Sequence, residues 1–268
     1  MLELEHGFRV VDVHVELEPD EGRRPQDGGD PESIEREAHQ AGIVQSLVFA
    51  GQREGSYLKA NNAVARMSVG RPFVAAARIN GARDAGAGAG ARLRNLTASR
   101  EEVHTSPEDV EQYAYDDRFA GFKLHPVRDG IPDAEVLEQL SAVGLPVLTH
   151  GGRGFPPSAI AETLLEYDFP LVVSHFGGYP LDADLMERAI DLLDSYDGCY
   201  LDTSFVRLRH PLERALMEHP DRVLFGSGAP SAHPNVAIME ILTLDVPEDA
   251  MRKAFSKNQA RVVEELAP

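Results

Sequence analysis

Pro146–Gly178 reads PVLTHGGRGFPPSAIAETLLEYDFPLVVSHFGG. Two apolar runs, Pro146–Thr149 and Leu171–Ser174, flank a segment, Pro157–Tyr167, that reads as a helix. Each run ends on a histidine with glycine close behind, His150-Gly151-Gly152 and His175-Phe176-Gly177-Gly178. Neither run alternates apolar with polar residues, so both read as strands buried on two faces, as in a parallel sheet covered by helices.

The same unit recurs in both directions. Further strand-like runs are Phe8–Val15, Ile43–Ala50, Phe73–Ile79, Ala120–Leu124, Cys199–Thr203 and Val223–Gly226, which makes eight in all. Helical patterns fill the gaps. Pro31 and Glu32 open the first, with Ile34, Ala38 and Ala41 at helical spacing before Gly42. The others are Ser56–Val69, Pro107–Tyr115, Asp133–Val143, Asp182–Leu193, Pro211–Glu218, Pro234–Leu244 and a last one from Pro247 to about Leu266. Eight strands each followed by a helix predict an α/β fold, a (β/α)8 TIM barrel in a single domain spanning residues 1–268. A doubly wound open sheet is the alternative, and the lack of a phosphate-binding glycine loop counts against it. Two segments break the rhythm. Pro19–Asp30 is acidic and glycine-rich and reads as a flexible loop. Gly81–Ser106 contains AGAGAGAR and reads as a long loop or surface insertion, with a lid over the catalytic face as the other reading.

The 268 residues are 43% hydrophobic, enough for one large core. No run is long and apolar enough to cross a membrane. The opening MLELEHGFRV lacks a basic stretch followed by an apolar one, so the expected location is cytoplasmic. A formal charge of −18 opposes binding to nucleic acid or to an anionic membrane. Only four lysines stand among the 26 basic residues, a balance that fits either a high-salt cytosol or an arginine-rich genome. Cys199 is the single cysteine, which excludes an internal disulfide and a cysteine-cluster metal site, and its apolar surroundings make it a core residue.

Active-site residues of a barrel lie at the C-terminal ends of its strands. Four strands deliver a histidine there: His14, His125, His150 and His175. Period-two alternation is expected to put Asp12, His14 and Glu16 on one face of the first strand, and Lys123 and His125 on one face of the fourth. Imidazole and carboxylate are the common ligands of zinc and related ions. His39, His104, His210, His219 and His233 lack this placement and read as surface residues.

These residues also carry a family resemblance. Asp12-x-His14, Gly121-Phe-Lys-Leu-His-Pro126, the histidine–glycine pairs, Leu224-Phe-Gly-Ser-x-x-Pro230 and Asn258-Gln-Ala-Arg261 together resemble the amidohydrolase superfamily, especially its branch of hydrolases and decarboxylases. The resemblance implies a divalent metal, zinc being expected, as one ion or two, held by His14, Glu16 and His150. It implies His175 and Lys123 as catalytic residues, the lysine bridging two ions where two are present. His125 and Arg153 are expected to orient an anionic group of a small-molecule substrate. Members of this branch are commonly homo-oligomers.

The chain departs from the family pattern twice. Glu16 stands where the second histidine of H-x-H belongs, and Gly228 stands where the eighth strand normally carries a metal-binding, water-activating aspartate. Glycine has no group to accept a proton; Glu16, His175 and Asp202 are the candidate substitutes. Hydrolysis of an amide, ester or lactone is the default expectation. Decarboxylation of a carboxylate-bearing substrate is the close alternative, since it needs no water nucleophile. The paired changes also admit a non-catalytic barrel that binds a ligand or partner.

Overall fold

A computed structural model describes residues 6–18, 29–52, 55–86 and 88–268. Of the loop expected at Pro19–Asp30, residues 19–28 lie outside the described residues. The elements run β1 (Val10–Leu17), α1 (Pro31–Gln40), β2 (Ile43–Ala50), α2 (Leu58–Ser68), β3 (Phe73–Ile79), α3 (Ala89–Thr97), α4 (Pro107–Ala114), β4 (Phe119–Leu124), α5 (Pro126–Asp129) and α6 (Ala134–Val143). They continue with β5 (Val147–Gly152), α7 (Pro157–Thr163), β6 (Leu171–Tyr179), α8 (Ala183–Ser195), β7 (Cys199–Asp202), α9 (Arg209–Glu218), β8 (Val223–Leu224), α10 (Pro234–Leu242), α11 (Glu248–Arg252) and α12 (Asn258–Val262).

The eight strands pair in parallel and in sequence order, β1 to β8. Past the short β8 the backbone turns back onto β1: Val13 N–H donates to Phe225 O at 3.0 Å, Gly228 N–H to His14 O at 3.1 Å and Glu16 N–H to Ala229 O at 2.8 Å. These bonds nearly close the barrel. Inside it, Val11, Val13, Leu47, Phe49, Ala76 and Ala120 belong to one buried cluster, which also takes in Leu148, Val172 and Leu224. A second, larger cluster lies between strands and helices. Apolar residues on both faces of the strands explain why the runs show no alternation.

Helix starts follow ordinary capping chemistry. Asp30, Ser106, Asp133 and Asp182 each accept a bond from a backbone N–H three residues on, which satisfies a donor the helix cannot. The predicted final helix is instead α11, a π-helical turn at Lys253–Lys257, α12 and a short 3-10 turn at Glu264–Leu266. Val262, Val263 and Leu266 close one end of the barrel cluster. The Gly81–Ser106 segment is not loop throughout: it holds α3, and it is tied down by Asn80 bonding Thr105 and by a backbone bridge from Arg83 to Ile131.

One expectation about β1 fails. Val11 and Val13 belong to the inner cluster, but Val15 and Leu17 belong to the outer one. The pairing with β2 shifts register between Asp12 and Val15, the mark of a β-bulge. The bulge separates Asp12 from His14 and Glu16, so the three do not share a face. A similar shift between β3 and β4 at Ala75/Ala77 moves Lys123 to the inner face, while Phe122 and Leu124 pack outward.

Candidate metal and acid–base site

The ends of β1, β5, β6 and β7 bring three imidazoles and a carboxylate together. Among the described residues, His14, His175 and Asp202 have ligand atoms within 4.8 Å of one another, and all three are buried. Asp202 ends β7. One of its oxygens, Oδ2, accepts from His14 Nδ1 at 3.0 Å. The other, Oδ1, accepts from the backbone N–H of His175 at 3.2 Å and of Ser204 at 2.9 Å, and from the Ser204 hydroxyl. Ser204 Oγ also lies 3.2 Å from His14 Nδ1 and 2.8 Å from His175 Nδ1, so this hydroxyl sits among the three donors.

The hydrogen bonds fix where the ring protons are. His175 Nδ1 lies 3.0 Å from the Ser204 carbonyl, which can only accept, so Nδ1 carries the proton and Nε2 keeps its lone pair. That Nε2 accepts from His150 Nδ1 at 3.0 Å, so in the metal-free site His150 carries its proton on Nδ1. The His150 ring in turn stacks on His125, with centroids 3.9 Å apart and planes at 12°. The backbone of His175 has φ of 60°, a conformation costly for a side chain of this size. Asp202 and Ser204 hold it there through the main-chain N–H and the ring.

Burial and neighbouring positive charge keep the rings neutral. Burial first, then Lys123, lowers His14. Burial, then the His14 ring, pushes His175 down to about 3, and burial with Lys123 does the same to His125. His150 falls well below the usual histidine range through burial and the rings of His175 and His125. Asp202 goes the other way: burial alone would raise it, but the hydrogen bond from His14 and the charge of Lys123 hold it below the carboxylate range. Lys123, whose ammonium is 3.1 Å from Ser174 Oγ and 4.8 Å from the centre of the Phe49 ring, is pushed down to about 8, mainly by burial.

Glu16 lies apart from the three-donor group. It is half-buried, and burial with the charge of Glu18 raises its pKa against the pull of Arg78 and Lys123. Arg153 is exposed at the rim and pairs with Asp182 at 3.0 Å, and it does not join the cluster. Of the sequence-predicted residues, the structure therefore gathers His14, His150, His175 and His125, with Lys123 acting on all four. His39, His210 and His233 are exposed, and His104 and His219 are partly so, as expected.

Ser204 and Phe205 were not among the expected residues, although Asp202-Thr203-Ser204 after an apolar run is a polar cluster of the kind that marks the other strand ends. Phe205 fills the place opposite Gly228. Gly228 has φ of 78°, and a Cβ there would lie 2.7 Å from the Phe205 ring. That ring packs 5.3 Å from His175 and 6.3 Å from Tyr179, centroid to centroid. Cys199 is buried and its thiol is pushed up to about 12 by burial, as a core residue requires.

A family model described as amidohydrolase matches residues 11–264. No curated protein matches the sequence. Among solved structures, an uncharacterized TIM-barrel protein from Bordetella bronchiseptica superposes with TM-score 0.68 at 20% identity, covering 97% of this chain and 99% of that one. A dihydroxybenzoic acid decarboxylase from Polaromonas sp. JS666, with bound manganese and the inhibitor 2-nitroresorcinol, gives TM-score 0.64 at 14% identity over 97% and 98% of the two chains. A structure provisionally named 2-pyrone-4,6-dicarboxylic acid hydrolase, from Acinetobacter baumannii with citric acid bound, gives 0.63 at 14% over 95% and 99%. At these identities the solved structures speak to the fold alone.

Proposed function

Because the chain belongs to the amidohydrolase family, we propose that it is a metal-dependent enzyme that decarboxylates a small carboxylate-bearing substrate. The observation that carries this reading is at Gly228. The place where a water-activating carboxylate would stand is taken by the Phe205 ring. Asp202, the carboxylate between His14 and His175, has both oxygens engaged by hydrogen-bond donors. Hydrolysis without a base loses roughly 10²–10⁴-fold in rate. Decarboxylation asks for no such base.

The donor set fits a divalent ion. His14 and His175 have their Nδ1 atoms held by Asp202 and Ser204, which leaves Nε2 of each ring free of a proton, and His150, whose Nδ1 proton bonds to His175 Nε2 in the metal-free site, would offer a lone pair once that proton is on its other nitrogen. All three rings are neutral, the form that binds metal. His14, His150 and His175 would hold the ion, and Glu16 stands outside this set. A bound divalent ion supplies Lewis-acid polarisation of a substrate oxygen. Nitrogen ligands suit zinc, and the decarboxylase relative holds manganese.

In the reaction, the bond between the substrate and its carboxyl carbon breaks, carbon dioxide leaves, and the electron pair stays on the substrate carbon. A proton must then be delivered there. With the histidines held neutral, Lys123, at about 8, is the site's group with a transferable proton at neutral pH. Its charge also attracts the substrate carboxylate. His125 and the aromatic rings of Tyr179 and Phe205 border the histidines.

Two expected results test this. Purified His150→Ala should remain folded and bind its divalent metal at least about a hundredfold more weakly, since loss of even an outer-shell partner costs 10–100-fold. Elemental analysis beside the wild type reads this; full metal content in the mutant would remove His150 from the ligand set. Metal-loaded wild type should release carbon dioxide from a panel of small carboxylates and leave lactones and amides intact. Lys123→Met should lower that turnover by roughly 10²–10⁴-fold with metal content unchanged. Lactone or amide hydrolysis would replace the proposal with the hydrolase reading, Glu16 being then the candidate base. A protein that takes up no metal and turns over nothing would be the non-catalytic barrel.

A further inference from the structure

The two oxygens of Asp202 face different partners. Oδ1 receives three hydrogens, from the N–H of His175, the N–H of Ser204 and the Ser204 hydroxyl. Oδ2 faces Nδ1 of His14 at 3.0 Å. The carboxylate is fully buried and the His14 ring nearly so, which leaves water little part in choosing the ring's protonation. Thr203 Oγ1 accepts from Gly226 N–H at 3.1 Å and donates to Gly226 O at 3.2 Å, so the strand that carries Asp202 is fastened to β8. The three donors on Oδ1 and the His14 ring on Oδ2 hold the carboxylate itself in one orientation.

We infer that Asp202 is a positioning residue that sets the tautomer of His14, holding its proton on Nδ1 so that Nε2 presents a lone pair to the site. The inference deepens the proposed function, and it rests on that reading only for the use made of Nε2. The same contacts predict what a neutral isostere does. In Asp202→Asn the amide oxygen must take the Oδ1 place, because three donors point there. The amide NH2 then faces His14 Nδ1 and can only donate to it. His14 must switch to the tautomer protonated on Nε2, and its lone pair turns away from the site. The side chain keeps its shape and loses only the acceptor.

The measurement is long-range 1H–15N correlation on metal-free protein with 15N-labelled histidine rings at neutral pH, His14 being assigned with a His14→Gln sample. The wild type should show His14 as a neutral ring protonated on Nδ1, and Asp202→Asn should show it protonated on Nε2. Calorimetric titration with manganese(II) should find Asp202→Asn binding about 10–100-fold more weakly. A wild-type His14 protonated on Nε2 overturns the inference without any variant. An unchanged Nδ1–H ring in folded Asp202→Asn overturns it as well. A merely structural role for Asp202 would lower stability without moving the proton from one ring nitrogen to the other. No turnover is measured, so failure of the decarboxylation assay and failure of this inference are separate results.

Discussion

Gly228→Asp is expected to destabilise the protein by about 2–4 kcal/mol and to gain no hydrolytic activity. By the family pattern this substitution restores the missing acid. The structure opposes it on two grounds. Gly228 sits at φ of 78°, in the left-handed region that side chains adopt at a cost. Its added Cβ would meet the Phe205 ring at 2.7 Å, nearer than such atoms approach. Phe205 is flanked by His175 and Tyr179, so a shift of the ring disturbs the site. Adding Phe205→Ala should relieve the overlap and recover part of the loss, leaving the backbone cost. Urea unfolding of the wild type, Gly228→Asp and Gly228→Asp/Phe205→Ala measures both terms. Wild-type stability in Gly228→Asp would mean that Phe205 swings clear and that a carboxylate can occupy the place.

Acid should unfold the metal-free protein steeply. In the unfolded chain a histidine takes up its proton near pH 6.5. In the folded protein His175 does so only at about 3, and His14, His125 and His150 are likewise lowered. Between those limits the unfolded chain binds more protons, so stability falls as pH falls. Each such group contributes about 1.4 kcal/mol per pH unit. For buried His175 alone, two units below 6.5 amount to about 3 kcal/mol, a large part of the stability of a small domain, and the lowering of His14 acts in the same direction. Asp12 acts oppositely. Burial raises its pKa to about 7, so between 7 and 3.8 the folded state holds the extra proton and gains from acid. Glu16, also raised, works the same way. Four histidines against two carboxylates leave a net loss. Unfolding midpoints from pH 7 to 4.5 should fall, with net proton uptake on unfolding. Stability that is flat or rising toward pH 4.5 would mean the rings are charged in the folded state.

Much of this protein was legible in its sequence because the deciding patterns are local. Each unbroken apolar run reports a strand covered on both faces. Each proline or aspartate before a helical pattern reports a helix start. The repetition of the two, eight times over, gives a barrel. The rule that strand ends carry the chemistry then singled out His14, His125, His150 and His175, and these do meet. Their family pattern also marked Gly228 as an altered position.

Only the tertiary structure decided how those residues meet. The β1 bulge slips the alternation by one residue, and no local pattern in Val10–Leu17 announces it. The partner of His14 is Asp202, 188 positions away, and the two touch because the barrel returns β7 and β8 beside β1. Gly228 faces Phe205 for the same reason. Arg153 turns to Asp182 at the rim because an exposed guanidinium pairs with the carboxylate in reach. Periodicity records which way a side chain faces along its own strand. Which atom it then meets depends on chain brought close by the closure of the barrel, and that is a property of the fold as a whole.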